Sequence, residues 1–184
     1  MMGWTRPELM NSVRECSKYM KGAAETHMVA LKRMIHFNVA AAKRGLHLSP
    51  KGIWNGTKDY KFKIQDWSDS EYAKDSSRCS VNGWGVFLCD APISFRNKMM
   101  PIVDLSVAEA ELFAAVLCAL DMIYALRVLN EPGLKVELPM KLYIDNKGAH
   151  DLCHSWASGG RTRHIEVKQY FLRELKEAGI IKAV

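Results

Sequence analysis

The chain has 184 residues, of which 48% are hydrophobic and 25% charged, and a net charge of +6. These numbers describe a globular protein of one full domain, or a domain with a small appendage, and exclude a disordered chain. The basic balance suits a polyanionic partner, although many basic proteins bind nothing acidic.

Thr5-Arg6-Pro7-Glu8 predicts a helix start, with Thr5 as cap and Glu8 completing a capping box. Leu9, Val13, Cys16 and Met20 follow at helical spacing. A second helix is expected from about Ala24 to Ala42, with Met28, Leu31 and Ile35 on one face and Gly45 as its stop. The turn-rich stretch Ser49 to Gly56 reads as a linker. The organisation expected is therefore a helical hairpin over 1–48, a linker over 49–57, and a second domain over 58–184.

In that domain Tyr60–Trp67, Trp84–Cys89 and Ile93–Phe95 read as strands, with Ile102–Leu105 as an extension and Arg96-Asn97-Lys98 near a bend. Ser106-Val107-Ala108-Glu109 is a second capping box, opening a helix to about Asn130. Lys141–Asp145 is a strand, Lys147–His154 a short helix, Ile165–Ala178 a helix ended by Gly179, and Ile180–Val184 a fifth strand. Strands, a helix, a parallel strand, then helix and strand give a mixed α/β or α+β order. The N-terminus has no apolar signal core, and the most apolar stretch, Leu112 to Leu129, is interrupted by Asp121 and Arg127, so it does not read as a membrane span. The five cysteines are odd in number and none has CxxC spacing, which reads as free thiols in a reducing compartment.

Three acids stand at the edges of different elements. Asp69 ends the first strand run, Glu111 lies in the first turns of the long helix, and Asp145 ends the fourth strand. Only the fold can bring them together, and convergent carboxylates without a His or Cys cluster suit a hard cation such as Mg²⁺. Phosphodiester chemistry is the main use of such a site. Asp69 also reads as an acidic turn residue, with Asp66 as a nearby competitor. Glu109 and Glu111 differ by about 200° on a helix, so they cannot face one site together. Glu109 stands where a capping box places its acid, whereas Glu111 shares a face with Ala115, Cys118 and Met122. Asp145 reads as a metal ligand or as the cap of the following helix.

Taken together, seven motifs resemble the C-terminal part of copia-type LTR-retrotransposon polyproteins, where the end of the reverse transcriptase meets the ribonuclease H domain. Thr5-Arg6-Pro7-Glu8-Leu9 resembles that family's "TRPD" helix start, and Ala30-Leu31-Lys32-Arg33-Met34 resembles its "KRxLRYL" helix. Trp67-Ser68-Asp69-Ser70-Glu71-Tyr72-Ala73-Lys74-Asp75 resembles "YSDADWAGD", and Ala91-Pro92-Ile93-Ser94-Phe95 resembles "GPISW". Leu105 to Leu112 resembles "LSSTEAEY", Tyr143-Ile144-Asp145-Asn146 resembles "YCDNQ", and Arg161-Thr162-Arg163-His164-Ile165-Glu166 resembles "RTKHID". The similarity runs over nearly the whole chain.

The resemblance implies a ribonuclease H-like five-stranded mixed sheet flanked by helices and preceded by the helical hairpin. It implies cutting of the RNA strand of RNA/DNA hybrids with two Mg²⁺ (or Mn²⁺) ions held by Asp69, Glu111 and Asp145. The implied partners are an RNA/DNA hybrid and the upstream reverse transcriptase domain, with no membrane, in an intracellular, cytoplasmic setting that includes virus-like particles. Arg161, Arg163 and His164 precede a helix N-terminus that suits a phosphate, and with Asn146 they are the candidate nucleic-acid contacts; a solvated basic loop is the plainer reading of the first three. Arg96 and Lys98 are weaker candidates. The family's fourth acid, on a last helix after the fifth strand, is expected to be missing because the chain stops at Val184. Glu166 is a substitute for it or an ordinary helix-dipole partner. The alternative function is accordingly a catalytically impaired nucleic-acid-binding or protein-interaction remnant. His150 and His154 have the spacing of a zinc pair but no third ligand nearby, so a surface helix is the simpler reading. Trp67, Trp84 and Trp156 are candidates for stacking on bases, with burial as the default for Trp67 and Trp84.

Overall fold

The structure, a computed structural model, describes residues 6–52, 54–154 and 163–184, and for 163–166 the backbone only. It divides into two compact units, Met1–Leu48 and Ser49–Val184. In the first, a 3-10 turn, Pro7–Leu9, leads into α1 (Met10–Ser17), and α2 spans Glu25–Ala40. Thr5 lies outside the described residues, and the Glu8 carboxylate accepts from Arg6 Nε at 2.5 Å. Helix α1 stops at Ser17, short of Met20, and α2 ends at Ala40 with Ala41 as its C-cap, before Gly45. The hairpin closes through Leu9, which is buried, a hydrogen bond from Arg6 Nη1 to Asn38 Oδ1 at 2.8 Å, and the stacked rings of Tyr19 and His27.

The second unit contains β1 (Lys61–Phe62), β2 (Ile64–Glu71), β3 (Val81–Leu88), β4 (Ala91–Met99), α3 (Val107–Asn130), β5 (Lys135–Val136), β6 (Met140–Ile144), α4 (Lys147–His154), α5 (Arg163–Glu177) and β7 (Ile181–Ala183). A five-stranded sheet has the order β4-β3-β2-β6-β7. The β2–β3 and β3–β4 pairs are antiparallel, and β2–β6 and β6–β7 are parallel. This is the mixed α/β architecture, a mixed sheet flanked by helices and preceded by a helical hairpin, that the sequence led us to expect.

Several boundaries differ from those expected. The run from Tyr60 breaks at Lys63: β1 pairs in parallel with β5 in a separate two-stranded sheet. Strand β2 continues past Asp69 to Glu71 because β3 offers it partners as far as Val81. Arg96-Asn97-Lys98 lie inside β4, paired with Trp84, Gly83 and Asn82, and there is no bend. Residues 102–105 form no strand; they lead into α3.

One face of the sheet carries the core. Ile64, Val86, Leu142 and Ile181 pack there against α3, whose Leu112, Ala115, Cys118, Ala119 and Met122 are buried. By length and composition alone α3 is apolar enough to cross a membrane. Its buried face, packed on the sheet, is that of a helix inside a domain core. Burial alternates along β2, with Ser68 and Ser70 inward and Trp67, Asp69 and Glu71 outward, as a pleated strand requires. Helix α5 ends as expected at Gly179, whose φ of +66° and the bonds Gly179 N–H to Lys176 O and Ile180 N–H to Leu175 O close its last turn. All five cysteines are free.

Candidate metal centre

The three acids separated in sequence meet at one end of the sheet. Ligand oxygens of Asp69, Glu111 and Asp145 all lie within 4.8 Å of one another. Among the described residues this is the only such convergence of three or more metal-type side chains.

The topology explains the meeting. Strand β6 stops at Ile144, opposite Ser68, so β2 runs on without a neighbour on that side. Ser70 N–H, past the end of β6, donates instead to Glu111 Oε1 at 3.1 Å. Asp69 stands one residue before on the outward face, and Asp145 follows directly after β6. Helix α3 brings in Glu111 from above the inner face. Its start is set by Ser106 Oγ, which accepts from Glu109 N–H at 3.1 Å, while Glu109 Oε2 accepts from Leu105 N–H at 2.8 Å. Glu109 is thus spent on capping, one residue further back than a standard box, and Glu111 is the acid that reaches the centre.

Asp145 is not the cap of α4. Asn146 Oδ1 accepts from Ala149 N–H at 3.0 Å and does that work. Gly148 allows the close start of α4, because a Cβ there would stand 3.1 Å from Asn146 Oδ1 and 3.4 Å from Ala108 Cβ. Asp145 is exposed and available at the centre.

The electrostatics are those of a site built for positive charge. Glu111 is only 4% exposed, and its Oε2 is buried with no hydrogen-bond partner among the described residues. Burial, with the negative charges of Asp145 and Asp69 beside it, pushes its carboxyl up to about 7, against the lowering effect of the Ser70 N–H. Three carboxylates, one of them with an unused buried oxygen, form a hard all-oxygen donor set. That set fits Mg²⁺ or Mn²⁺ and does not fit a thiolate- or imidazole-seeking metal.

Asp66 faces inward, fully buried beside Cys118 and away from the centre. Trp84 is buried, its Nε1 donating to Asp121 Oδ2 at 2.9 Å. Trp67, expected to be buried, is 43% exposed on the outward face and stacks on Tyr143 at 5.0 Å. Arg96 Nε stands 3.7 Å from Asp121 Oδ2, and Lys98 is exposed. The rings of His150 and His154 stack at 4.3 Å on α4, and His154 Nδ1 lies 2.8 Å from the His150 carbonyl. Trp156 and Arg161 lie outside the described residues. Arg163, His164 and Glu166 fall in the first turn of α5, where the backbone alone is described. Sequence reasoning missed Ser70 and Asn82, which stand opposite each other behind Glu111, with Ser70 Oγ donating to Asn82 Oδ1 at 2.8 Å.

The sheet, the core helix and the carboxylate centre define a mixed α/β domain with a candidate divalent-cation site. The chain matches the retrovirus-related Pol polyprotein from transposon RE1 of Arabidopsis thaliana at 28% identity over 184 residues, which is 100% of this chain and 12% of that protein. The counterpart from transposon TNT 1-94 of Nicotiana tabacum matches at 28% over 181 residues, 98% of this chain and 13% of that protein. Secreted RxLR effector protein 161 of Plasmopara viticola is 30% identical over 115 residues, 62% of this chain and 75% of the effector. No protein-family model matches. Among solved structures, a prototype foamy virus protease–reverse transcriptase overlaps 75% of this chain and 19% of that chain, with a TM-score of 0.38 and 13% identity. Along its whole length the chain is thus similar to a region of the Pol polyproteins of copia-type transposons, and it spans about an eighth of their length.

Proposed function

We propose that this region is the ribonuclease H part of a retrotransposon polyprotein, with the helical hairpin as the end of the reverse transcriptase before it. It cuts the RNA strand of RNA/DNA hybrids. The observation that carries this reading is the convergence of Asp69, Glu111 and Asp145 within 4.8 Å. The similarity of the whole chain to retrovirus-related Pol polyproteins supports it.

Asp69, Glu111 and Asp145 would hold the divalent ions. Two such ions, when bound, supply activation of the attacking water and stabilisation of the leaving oxygen. The chain's own part is to hold three carboxylates in place. Ser70 N–H orients Glu111, the end of β6 places Asp145, and Asn146 keeps α4 from drawing on Asp145 as a cap. The net charge of +6 favours a polyanion, and hybrid binding should weaken steeply as salt rises. Recognition would rest on duplex shape, phosphates and 2′-hydroxyls.

The decisive assay uses an end-labelled RNA/DNA hybrid beside double-stranded DNA and single-stranded RNA, with Mg²⁺ or Mn²⁺. Cleavage confined to the hybrid's RNA strand is expected. Binding of the hybrid by folded protein without any cleavage would replace this reading with that of a nucleic-acid-binding module.

A second expectation concerns stability. Since the folded-state value for Glu111 lies above the ordinary 4.5, its contribution is complete below about pH 4.5 and is lost as pH rises through about 7. A bound cation removes the cost of ionising it. Mg²⁺ at tenfold over its Kd should add about 1.4 kcal/mol, a rise of a few degrees in Tm. The rise should be larger at pH 8 than at pH 5. Equal melting curves in Mg²⁺ and EDTA at pH 8 would count against the metal centre.

A further inference from the structure

The inner face of the sheet changes character along its length. Under the middle of α3 it is apolar, with Ile64, Val86 and Leu142. At the Glu111 end it turns polar: Ser68, Ser70, Ser80 and Asn82 are all buried there. Above them α3 presents small side chains, with Ala110, Ala114 and Ala115 fully buried. Asn82 is fully buried, and its Nδ2 has no hydrogen-bond partner among the described residues. Burying an unused amide donor is unfavourable, and an apolar residue of similar size would hold this strand pair without that cost.

The amide has one visible engagement. Its Oδ1 accepts from Ser70 Oγ at 2.8 Å, directly across the β2–β3 ladder. Ser70 in turn supplies the backbone N–H that holds Glu111 Oε1 at 3.1 Å, on a stretch of β2 that has outrun β6. On the β3 side the backbone ladder holds this stretch as far as Glu71 and Val81. The Ser70–Asn82 side-chain bond adds a second tie at the residue whose N–H meets Glu111.

We propose that Asn82 is a positioning residue for the metal centre: through Ser70 it fixes the N–H that orients the Glu111 carboxylate. The inference rests on the reading of Asp69, Glu111 and Asp145 as a metal centre. Groups that orient a ligand from behind typically change metal affinity by 10–100-fold when lost.

The test cuts the same bond from both sides. Ser70→Ala removes the hydroxyl and keeps the backbone N–H; Asn82→Leu removes the acceptor. Ser70→Thr, which keeps the hydroxyl, is the conservative variant. Mn²⁺ affinity is measured by calorimetry on the full chain, beside Tm in EDTA. Affinity should fall about tenfold in Ser70→Ala and in Asn82→Leu, no further in the double variant, and recover in Ser70→Thr. Ser70→Ala leaves both polar atoms of the buried Asn82 amide unpaired and should melt lower in EDTA, whereas the double variant leaves neither; equal affinity losses in the two despite different melting points separate an effect on the ligand from an effect on the fold. Wild-type affinity in both single variants, or losses that simply add, would overturn the inference. A wild type that takes no Mn²⁺ would overturn the metal-centre reading itself, and this inference with it.

Discussion

Replacing Asp69 with Asn is expected to lower hybrid cleavage by on the order of a thousandfold, about 4 kcal/mol of transition-state stabilisation, while leaving the fold intact. The substitution keeps the size of the side chain and removes one of the three negative charges at the centre. Asp69 is the member best suited to this test, because it is exposed and its β2 backbone is held by Gly83 of β3 whatever its side chain. Removing a like charge beside Glu111 and Asp145 relieves repulsion in the metal-free protein, so Tm in EDTA should stay level or rise. Loss of activity with an unchanged or higher Tm is therefore the diagnostic pair. Asp145→Asn should behave in the same way. Retention of cleavage within tenfold by Asp69→Asn would remove this residue from the chemistry.

Asp66 should govern the alkaline limit of stability. It lies three residues before Asp69 on the same strand, but on the inner face, fully buried beside the Cys118 thiol. Trp67 N–H donates to its Oδ1 at 2.8 Å. Burial is the largest influence on it, and Asp121 adds repulsion, so the carboxyl is pushed up to about 8. The Cys118 thiol is itself held well above its usual range by burial and by Asp66, which makes it a steady neutral neighbour. Since the folded value exceeds the unfolded one, the contribution of Asp66 is complete below about pH 4 and is lost as pH rises through about 8, at roughly 1.4 kcal/mol per unit between them. Glu111 acts in the same direction but is half titrated at about pH 7, so its share of the slope fades between 7 and 8 while that of Asp66 persists. Urea unfolding in EDTA should show wild-type stability falling across that interval and Asp66→Asn falling much less steeply. Parallel slopes for the two proteins would contradict the assignment.

That Asp69, Glu111 and Asp145 would converge was legible from a resemblance of motifs, which favoured Asp69 over Asp66, and from helical period, which separated the two glutamates. Glu109 and Glu111 could be told apart by their angle on a helix, and the structure gives Glu109 to the cap and Glu111 to the centre. For Asp145 the sequence favoured a ligand but allowed it to cap the next helix as well. Two adjacent residues, Asp145 and Asn146, are both good caps, and only the built helix shows that Asn146 takes the position. Ser70 and Asn82 escaped notice because their meeting depends on the register of β2 against β3, which no local pattern encodes. The β1–β5 pair escaped for a related reason: two residues of strand carry no periodicity, and this pair exists only through a contact between distant segments. Trp67 was misplaced by a general tendency. Tryptophans are usually covered, but strand alternation set this one outward with Asp69.

That placement gives the molecule a built-in optical probe. Trp67 and Tyr143 stack on neighbouring strands, and each is two residues from an acid of the centre, Asp69 and Asp145 respectively. Two steps along a strand are about 7 Å. Indole emission from position 67 therefore originates close to the carboxylates and from a half-open environment. A paramagnetic ion arriving there should quench it, and a diamagnetic one should shift it only slightly. Cation occupancy becomes readable, without a label, as the part of the five-tryptophan emission that Trp67→Phe removes.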